Sequence, residues 1–414
     1  MRASILGVGT ELLFGQTVNT NAAFLSKQLN LMGFDVMYHF VVGDNPGRLA
    51  KTLKLALAET DLVVTTGGLG PTQDDLTKET IAEVFGAALL PDERAMREMR
   101  EFFIGRGRKM PENNLKQGYL PAGSTVFYNK RGTAPGFAIE KDGKCAIAFP
   151  GPPYEMEWMF ENRTRAFLEK FIEKKMYYVV VRTIGIGESD LETRLLPLID
   201  GQVDPTIATY AKQGECTMRI ASQRDDLDEA KATVDDMLKK VNSLVGEYIY
   251  SYDDTELSEV VVEKLKKARL KLASAESCTG GKFAAAVTDI AGASDIYERG
   301  FVTYSPEAKI DDISVKAETI ESYGVVSSEV AIEMAEGARL KAGADMAVSV
   351  TGFAGPSGGA GEGDEPGKAY IGYSTPSAKG SFLIRTKRDD RGWNRQYFVL
   401  NMFRILNDIL DGDI

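Results

Sequence analysis

The sequence predicts an α/β protein in three successive pieces: two larger α/β domains separated by a small α+β module. Three observations carry that expectation. Toward both ends of the chain, short runs that are apolar throughout alternate with helix-length amphipathic stretches, the pattern of parallel strands covered on both faces. Between them, around 175–251, strands outnumber helices and follow one another closely. At 414 residues, 43% hydrophobic and 26% charged, the chain is long enough for two or three cores and too apolar for disorder to be the default.

In order, "ASILGVG", "FDVMYHFVVGD" and "TDLVVTTGG" read as strands, with "NTNAAFLSKQLNLMG" and "PGRLAKTLKLALAE" as the helices between them. This first domain, 1–170, continues through "CAIAFPGPPYEMEWMF", where Pro150, Pro152 and Pro153 stop a strand before a helical period resumes. The module at 175–251 reads as a strand and helix in "KKMYYVVVRTIGIGESDLETRLLPLI", strands in "PTIATYAK" and "CTMRIASQ", the helix "LDEAKATVDDMLKKVNSLV" and a last strand "EYIYS". A polar junction, "SYDDTE", then leads into the helix "LSEVVVEKLKKARL" and the third piece, 255–414. That piece is again α/β, interrupted by the Gly-rich "GPSGGAGEGDEPGK", which serves as a mobile lid or as slack.

Composition excludes several classes. A net charge of −11 without a basic, aromatic-interleaved stripe argues against nucleic acid as the main ligand. Cys145, Cys216 and Cys278 lack CxxC spacing, and with one histidine, His39, they cannot build a conventional zinc site. Reduced cysteines in a cytoplasmic protein are the expectation. Glu11 interrupts the first apolar run too early for a secretory core, and no uncharged stretch approaches about 18 residues, so neither export nor membrane insertion is expected.

Two constellations carry chemistry. In "TTGGLGPTQDDLTKE", Gly67, Gly68 and Gly70 follow a buried strand and precede a helix, a turn whose amides can approach a phosphate. Asp74 and Asp75 stand where that helix begins, either as N-caps or as hard oxygen ligands for a divalent cation completed by substrate phosphate. Glu11 and Asp44 follow other strands, at the ends where open α/β sheets bind ligands, unless they are solvated loop carboxylates.

The second constellation is "LASAESCTGGKF", a passage from apolar run to helix displaying Ser277, Cys278 and Thr279 ahead of Gly280 and Gly281. No histidine lies near it, so any base is Lys, Tyr, Asp or Glu. "RGFVTYSPEAKIDDI" offers Tyr304 and Lys309; the lysine acts as a base only if burial lowers its pKa, and otherwise is a surface helix lysine. Ser277 and Thr279 are equally suited to capping, and the turn's amides and glycines to an oxyanion hole or a phosphate cradle. Cys278 has no cationic sequence neighbour to lower its pKa.

"GVGTELLFGQTVNTNA", "TTGGLGPTQDDLT", "RGTAPGF" and "FPGPPYEM" together resemble the N-terminal domain of the CinA family, itself similar to molybdopterin-binding domains. Asp74 stands where the broader molybdopterin-binding group has arginine, which suits metal better than pterin phosphate. The resemblance implies an ADP-ribose pyrophosphatase using a divalent metal at Asp74, Asp75, Glu11 and Asp44, with Gly67, Gly68, Gly70 and Thr72 at the substrate. The alternative is a non-catalytic nucleotide- or pterin-binding module with a role in competence or DNA damage. The middle module resembles the family's KH-like connector, and its "IGIGESD" lacks the basic GxxG loop of RNA binders, so a linker or homodimer element is expected. "AESCTGG", "GASDIYERGFVTYS", "YGVVSSEVAIEMAEGA" and "VSVTGFAGPSGG" resemble the NMN deamidase of the CinA C-terminal domain, a serine amidase needing no cofactor. That resemblance implies Lys309 assisted by Tyr304 as base, favours Ser294 as nucleophile with Ser277 in reserve, and places Thr279, Gly280, Gly281, Thr351 and Gly352 at the substrate. Relatives carry Gly-Asp-Arg before the last helix where this chain reads "TKRDDRGWNRQ", so Arg388 or Arg391 takes the phosphate.

Overall fold

A computed structural model describes residues 1–172, 174–359 and 363–414. Residues 360–362 of the Gly-rich segment, where a lid or slack was expected, lie outside the described residues. The chain divides into two compact units, one of residues 1–178 with 222–233, the other of 179–221 with 234–414.

The first unit is built on β1 (Arg2–Val8), β2 (Asp35–Val42) and β3 (Leu62–Thr66). After β3 come a two-stranded ribbon of β4 (Leu89–Pro91) and β5 (Tyr119–Pro121), then β6 (Thr125–Phe127), β7 (Gly136–Lys141) and β8 (Lys144–Phe149). The main sheet runs β2-β1-β3-β8-β7-β6. Its first four strands are parallel, and β7 and β6 return antiparallel. Alternate residues of one strand enter opposite cores: Ile5, Val64 and Ile147 pack with Leu25, Leu29 and Phe160, whereas Leu6, Val63 and Ala146 pack with Leu49, Leu53 and Ile81. Burial on both faces is why these strands read as continuous apolar runs rather than alternating ones.

The second unit carries most of a sheet of β9 (Lys175–Ile184), β10 (Thr206–Ala211), β11 (Glu215–Arg224) and β12 (Ile249–Ser251), in the order β10-β11-β9-β12. It also holds β13 (Leu272–Glu276), β14 (Tyr297–Val302), β15 (Met346–Phe353), β16 (Lys368–Ser374) and β17 (Lys379–Arg385), ordered β14-β13-β15-β16-β17. Here β14, β13 and β15 are parallel, and β16 and β17 turn antiparallel. Again the faces divide, Leu272, Val348 and Val350 packing on Phe283 and Phe403, and Ala273 and Ala347 on Val330 and Met334. Among the described residues no helix is long and apolar enough to cross a membrane.

Candidate active sites

In the second unit, the register of β13 against its two parallel neighbours pairs Glu276 with Val302 and with Val350. The next residues, Ser277, Thr303 and Thr351, therefore emerge together at the carboxyl ends of the strands, where such sheets bind ligands. The Ser277 N–H donates to Val350 O at 3.1 Å and the Thr303 N–H to Glu276 O at 2.9 Å, so the turn is sewn to both neighbours. After β14 the helix Pro306–Ile313 opens with Ser305 as N-cap and Pro306 in its first turn, a strong start signal.

Lys309 lies one turn into that helix, and its side chain runs back under the strand ends. Nζ donates to Ser277 Oγ at 3.1 Å, to Thr303 O at 2.7 Å and to Tyr304 O at 3.4 Å. It is 0% exposed, and none of these partners is a carboxylate. Burial lowers its pKa from 10.5 to about 8. A serine hydroxyl and a lysine that gives up its proton near neutrality thus stand in direct contact.

The turn that holds Ser277 is fixed at both ends. Glu276, 1% exposed, accepts the N–H groups of Phe283 at 3.0 Å and Ala284 at 2.9 Å. Phe283 is itself anchored in the core with its ring 4.6 Å from that of Phe403. Between them Gly280 and Gly281 take left-handed φ of +59° and +88°, which returns the chain toward β13 without Cβ strain. Arg395 reaches in from the last helix and donates to Thr279 O at 2.5 Å. Among the described residues, no carbonyl takes the N–H groups of Cys278 and Thr279, and the buried Thr279 hydroxyl has no partner. The Cys278 and Thr279 N–H groups follow Ser277 directly in the chain.

Other expected residues fall elsewhere. Ser294 is exposed in a short turn, Ala293–Asp295, before β14 begins. The six residues of β14, roughly 20 Å of strand at about 3.3 Å each, separate it from the Lys309 end, whereas Ser277, expected only in reserve, is the serine that Lys309 touches. The Tyr304 side chain is 62% exposed and its hydroxyl meets Arg391 Nη2 at 3.4 Å; only its backbone carbonyl touches Lys309. Arg391 also donates to Gly355 O at 3.0 Å, which puts it beside Tyr304, whereas Arg388 lies over the Trp393 ring at 4.3 Å. Thr351 is buried and spends its hydroxyl on Val325 O at 2.8 Å. Gly352 answers a packing need, since a Cβ there would stand 2.5 Å from that of Ala369 on β16. Burial raises the Cys278 thiol to about 12, which removes it as a nucleophile. The single histidine, His39, is exposed on β2 of the first unit. Sequence reading missed Glu276 and Arg395, because capping a turn and clamping a carbonyl leave no spacing signature.

In the first unit the four N-terminal motifs converge on one cavity of about 390 Å³, lined by Glu11, Asp44, Asp74, Asp75 and Glu155 together with Gly67, Gly68, Gly70 and Pro150 to Pro152. Gly67 sits at φ +103° with no room for a side chain, because a Cβ there would stand 2.0 Å from Val8 O. The aspartates do not cap the next helix: its N-cap is Leu76, with no side-chain bond. Instead Asp75 accepts the Thr72 N–H at 2.9 Å and hydroxyl at 2.5 Å, and Asp74 also meets that hydroxyl. This bond holds the Asp74 carboxyl below the usual range. Asp44 accepts the Thr10 N–H at 2.9 Å and hydroxyl at 2.8 Å, tying the strand ends together. Among the described residues no three acidic, histidine or cysteine side chains gather as metal ligands. The expected quartet lines one cavity without forming a metal centre of its own.

Glu155, absent from the sequence-based set, is the buried member of the five, 8% exposed. It accepts Asn129 Nδ2 at 2.6 Å and the Tyr154 hydroxyl at 3.1 Å.

Comparison with known proteins bears on all three pieces. The family model "Probable molybdopterin binding domain" matches residues 4–170, "Damage-inducible protein CinA KH domain" 179–251, and "CinA C-terminal domain" 254–410. A "Putative competence-damage inducible protein" from Caldicellulosiruptor saccharolyticus is 48% identical over 94% of each chain. One of the same name from Clostridium botulinum strain Loch Maree is 46% identical over 90% of this chain and 91% of its own. Among solved structures, CinA from Thermoplasma acidophilum aligns with 38% identity and a TM-score of 0.37, covering 41% of this chain and 97% of that one. With a full-length relative at this identity and its three pieces matched in order, the chain belongs to the CinA family of competence- and damage-inducible proteins.

Proposed function

We propose that the second unit is an amidase that deamidates nicotinamide mononucleotide, and that the cavity of the first unit hydrolyses the phosphoanhydride of ADP-ribose. The observation that carries the first half is the contact of Ser277 Oγ with a fully buried Lys309 whose pKa is about 8. Neutral Lys309 takes the hydroxyl proton as Ser277 Oγ bonds to the carboxamide carbon. The amide C–N bond then breaks, and the lysine returns that proton to the leaving ammonia. Water repeats the sequence on the acyl-enzyme. The Cys278 and Thr279 N–H groups border the position where negative charge develops.

Ammonia release from nicotinamide mononucleotide tests this reading. Ser277→Ala and Lys309→Ala are each expected to lower kcat by at least about 10³-fold with the fold intact, as members of one catalytic unit do. Full activity in either variant would remove the assignment. A second reading of the first unit is a nucleotide- or pterin-binding module without turnover, for which the glycine turn beside the cavity would serve as the phosphate cradle. AMP release from ADP-ribose, assayed with and without added divalent cation, decides between them: tight binding without AMP would select the module.

A further inference from the structure

We infer that Glu155 is the proton acceptor of the N-terminal cavity, the group that activates water for attack on a phosphoanhydride. The inference rests on the hydrolytic reading of that cavity and names a residue role within it. Of the five carboxylates lining the cavity, Glu155 alone is buried, and it comes from a different segment from the glycine turn, the helix Pro153–Met159.

Its surroundings are built around the carboxylate. Asn129 donates Nδ2 to Glu155 Oε2 at 2.6 Å and to Ala134 O at 3.0 Å, while its Oδ1 accepts the N–H groups of Arg131 at 2.8 Å and Gly132 at 2.9 Å. A Cβ on Gly132 would stand 1.9 Å from Glu155 Oε2, so the glycine in "RGTAPGF" is the space the carboxylate occupies. Segments distant in sequence, Asn129 to Gly132 and the helix carrying Glu155, thus fit around one side chain at the cavity wall. Both hydrogen-bond donors are neutral. Among the described residues, the other ionisable groups near it are Tyr154, which Arg106 approaches in turn; Arg131, exposed on the loop; Lys130, paired with Glu98 at 3.1 Å; and the cavity carboxylates Glu11, Asp44, Asp74 and Asp75.

Burial also pushes the Glu155 carboxyl up, which favours its taking a proton. In the step assigned here, a water oxygen bonds to one phosphorus as the Glu155 carboxylate takes the water's proton. The anhydride P–O bond breaks with its electron pair passing to the bridging oxygen, which leaves on the second phosphate. Glu155 then returns its proton to solvent.

The test uses the full-length protein with ADP-ribose as probe, following AMP release against pH with and without added Mg²⁺. Glu155→Gln keeps the shape and the acceptor for Asn129 but cannot take the proton. The expected result is a fall in kcat of about 10²–10⁴-fold, KM within about threefold, and disappearance of the acid limb of the wild-type pH profile. Glu155→Asp, one methylene shorter, is expected to retain the limb and more of the rate, and it decides the matter if Glu155→Gln does not fold. Circular dichroism and ammonia release from nicotinamide mononucleotide report on the fold. Wild-type turnover with Glu155→Gln unchanged, or with equal losses in both variants and an unaltered pH limb, would overturn the role of Glu155 alone. No AMP from the wild type under any condition would overturn the hydrolytic reading and this role with it.

Discussion

Lys309 and Glu155 both lie buried near the carboxyl ends of parallel strands, one in each unit, and each has lost a charge preference through burial, the lysine toward neutral and the carboxyl toward protonated. Their settings differ. Around Lys309 the fold offers two carbonyls and a hydroxyl, and the nearest carboxylate in sequence to Ser277, Glu276, is spent on two backbone N–H groups. Around the N-terminal cavity the fold offers carboxylates, four of them tied at most to exposed turns. On the readings proposed above, a site of the first kind draws both nucleophile and base from the chain, whereas one of the second kind draws its base from the chain and its nucleophile, water, from solution.

The comparison breaks first at Glu276. If the turn at Ser277 is rigid because a buried carboxylate holds it, Glu276→Ala leaves the N–H groups of buried Phe283 and half-buried Ala284 without their acceptor. Each costs about 1–3 kcal/mol, so a loss of about 2–6 kcal/mol in unfolding free energy is expected from denaturant titration, with turnover falling alongside. Asp75→Ala, whose hydrogen bonds close an exposed turn, is expected to cost under about 1 kcal/mol in the same measurement. Equal losses would erase the distinction between the two sites.

A smaller effect sharpens it. Because Lys309 must be neutral to accept a proton, kcat/KM for ammonia release is expected to rise with pH to a plateau, with its midpoint near the lysine's pKa of about 8, so that pH 7 lies about tenfold below the plateau. Linkage gives an independent check. Between about 8 and the ordinary 10.5 the unfolded chain holds a proton that the folded chain has released, so stability relative to Lys309→Met should rise as pH increases through that window and stay flat below it. A flat difference across the window would mean that Lys309 titrates normally and is no base.

Much of this architecture was legible before any coordinates. Runs such as "TDLVVTT" are buried on both faces and so announce parallel strands, and the glycine turn after β3 does face a cavity. Three things were hidden for physical reasons. Of the antiparallel strands, β6 is only three residues long and β17 is exposed or half-buried along most of its length, while β7 and β16 show no clean alternation of buried and exposed residues. Burial of Lys309 depends on a side chain doubling back beneath neighbouring strands, which no helical spacing reveals. And the choice between Ser277 and Ser294 turns on strand direction: both flank the same helix in sequence, but β14 carries the chain from one end of the sheet to the other before Lys309 is reached.

That last point yields the smallest expected effect. Ser294 is exposed and lies before β14, a whole strand away from Nζ of Lys309. It caps no helix of eight or more residues, and its side chain sits on the surface. Ser294→Ala should therefore shift unfolding free energy by no more than about 0.5 kcal/mol and leave ammonia release at the wild-type rate. Its value lies in the pairing with Ser277→Ala. If both hydroxyls were reachable from Lys309, either deletion would be partly rescued by the other, and the double variant would lose more than the sum. The geometry predicts instead that the double variant behaves as Ser277→Ala alone, because among the described residues Ser277 is the one hydroxyl that meets Lys309 Nζ. A folded Ser294→Ala protein without turnover would mean that β14 does not hold Ser294 away from Lys309 during the reaction, and the nucleophile assignment would pass back to it.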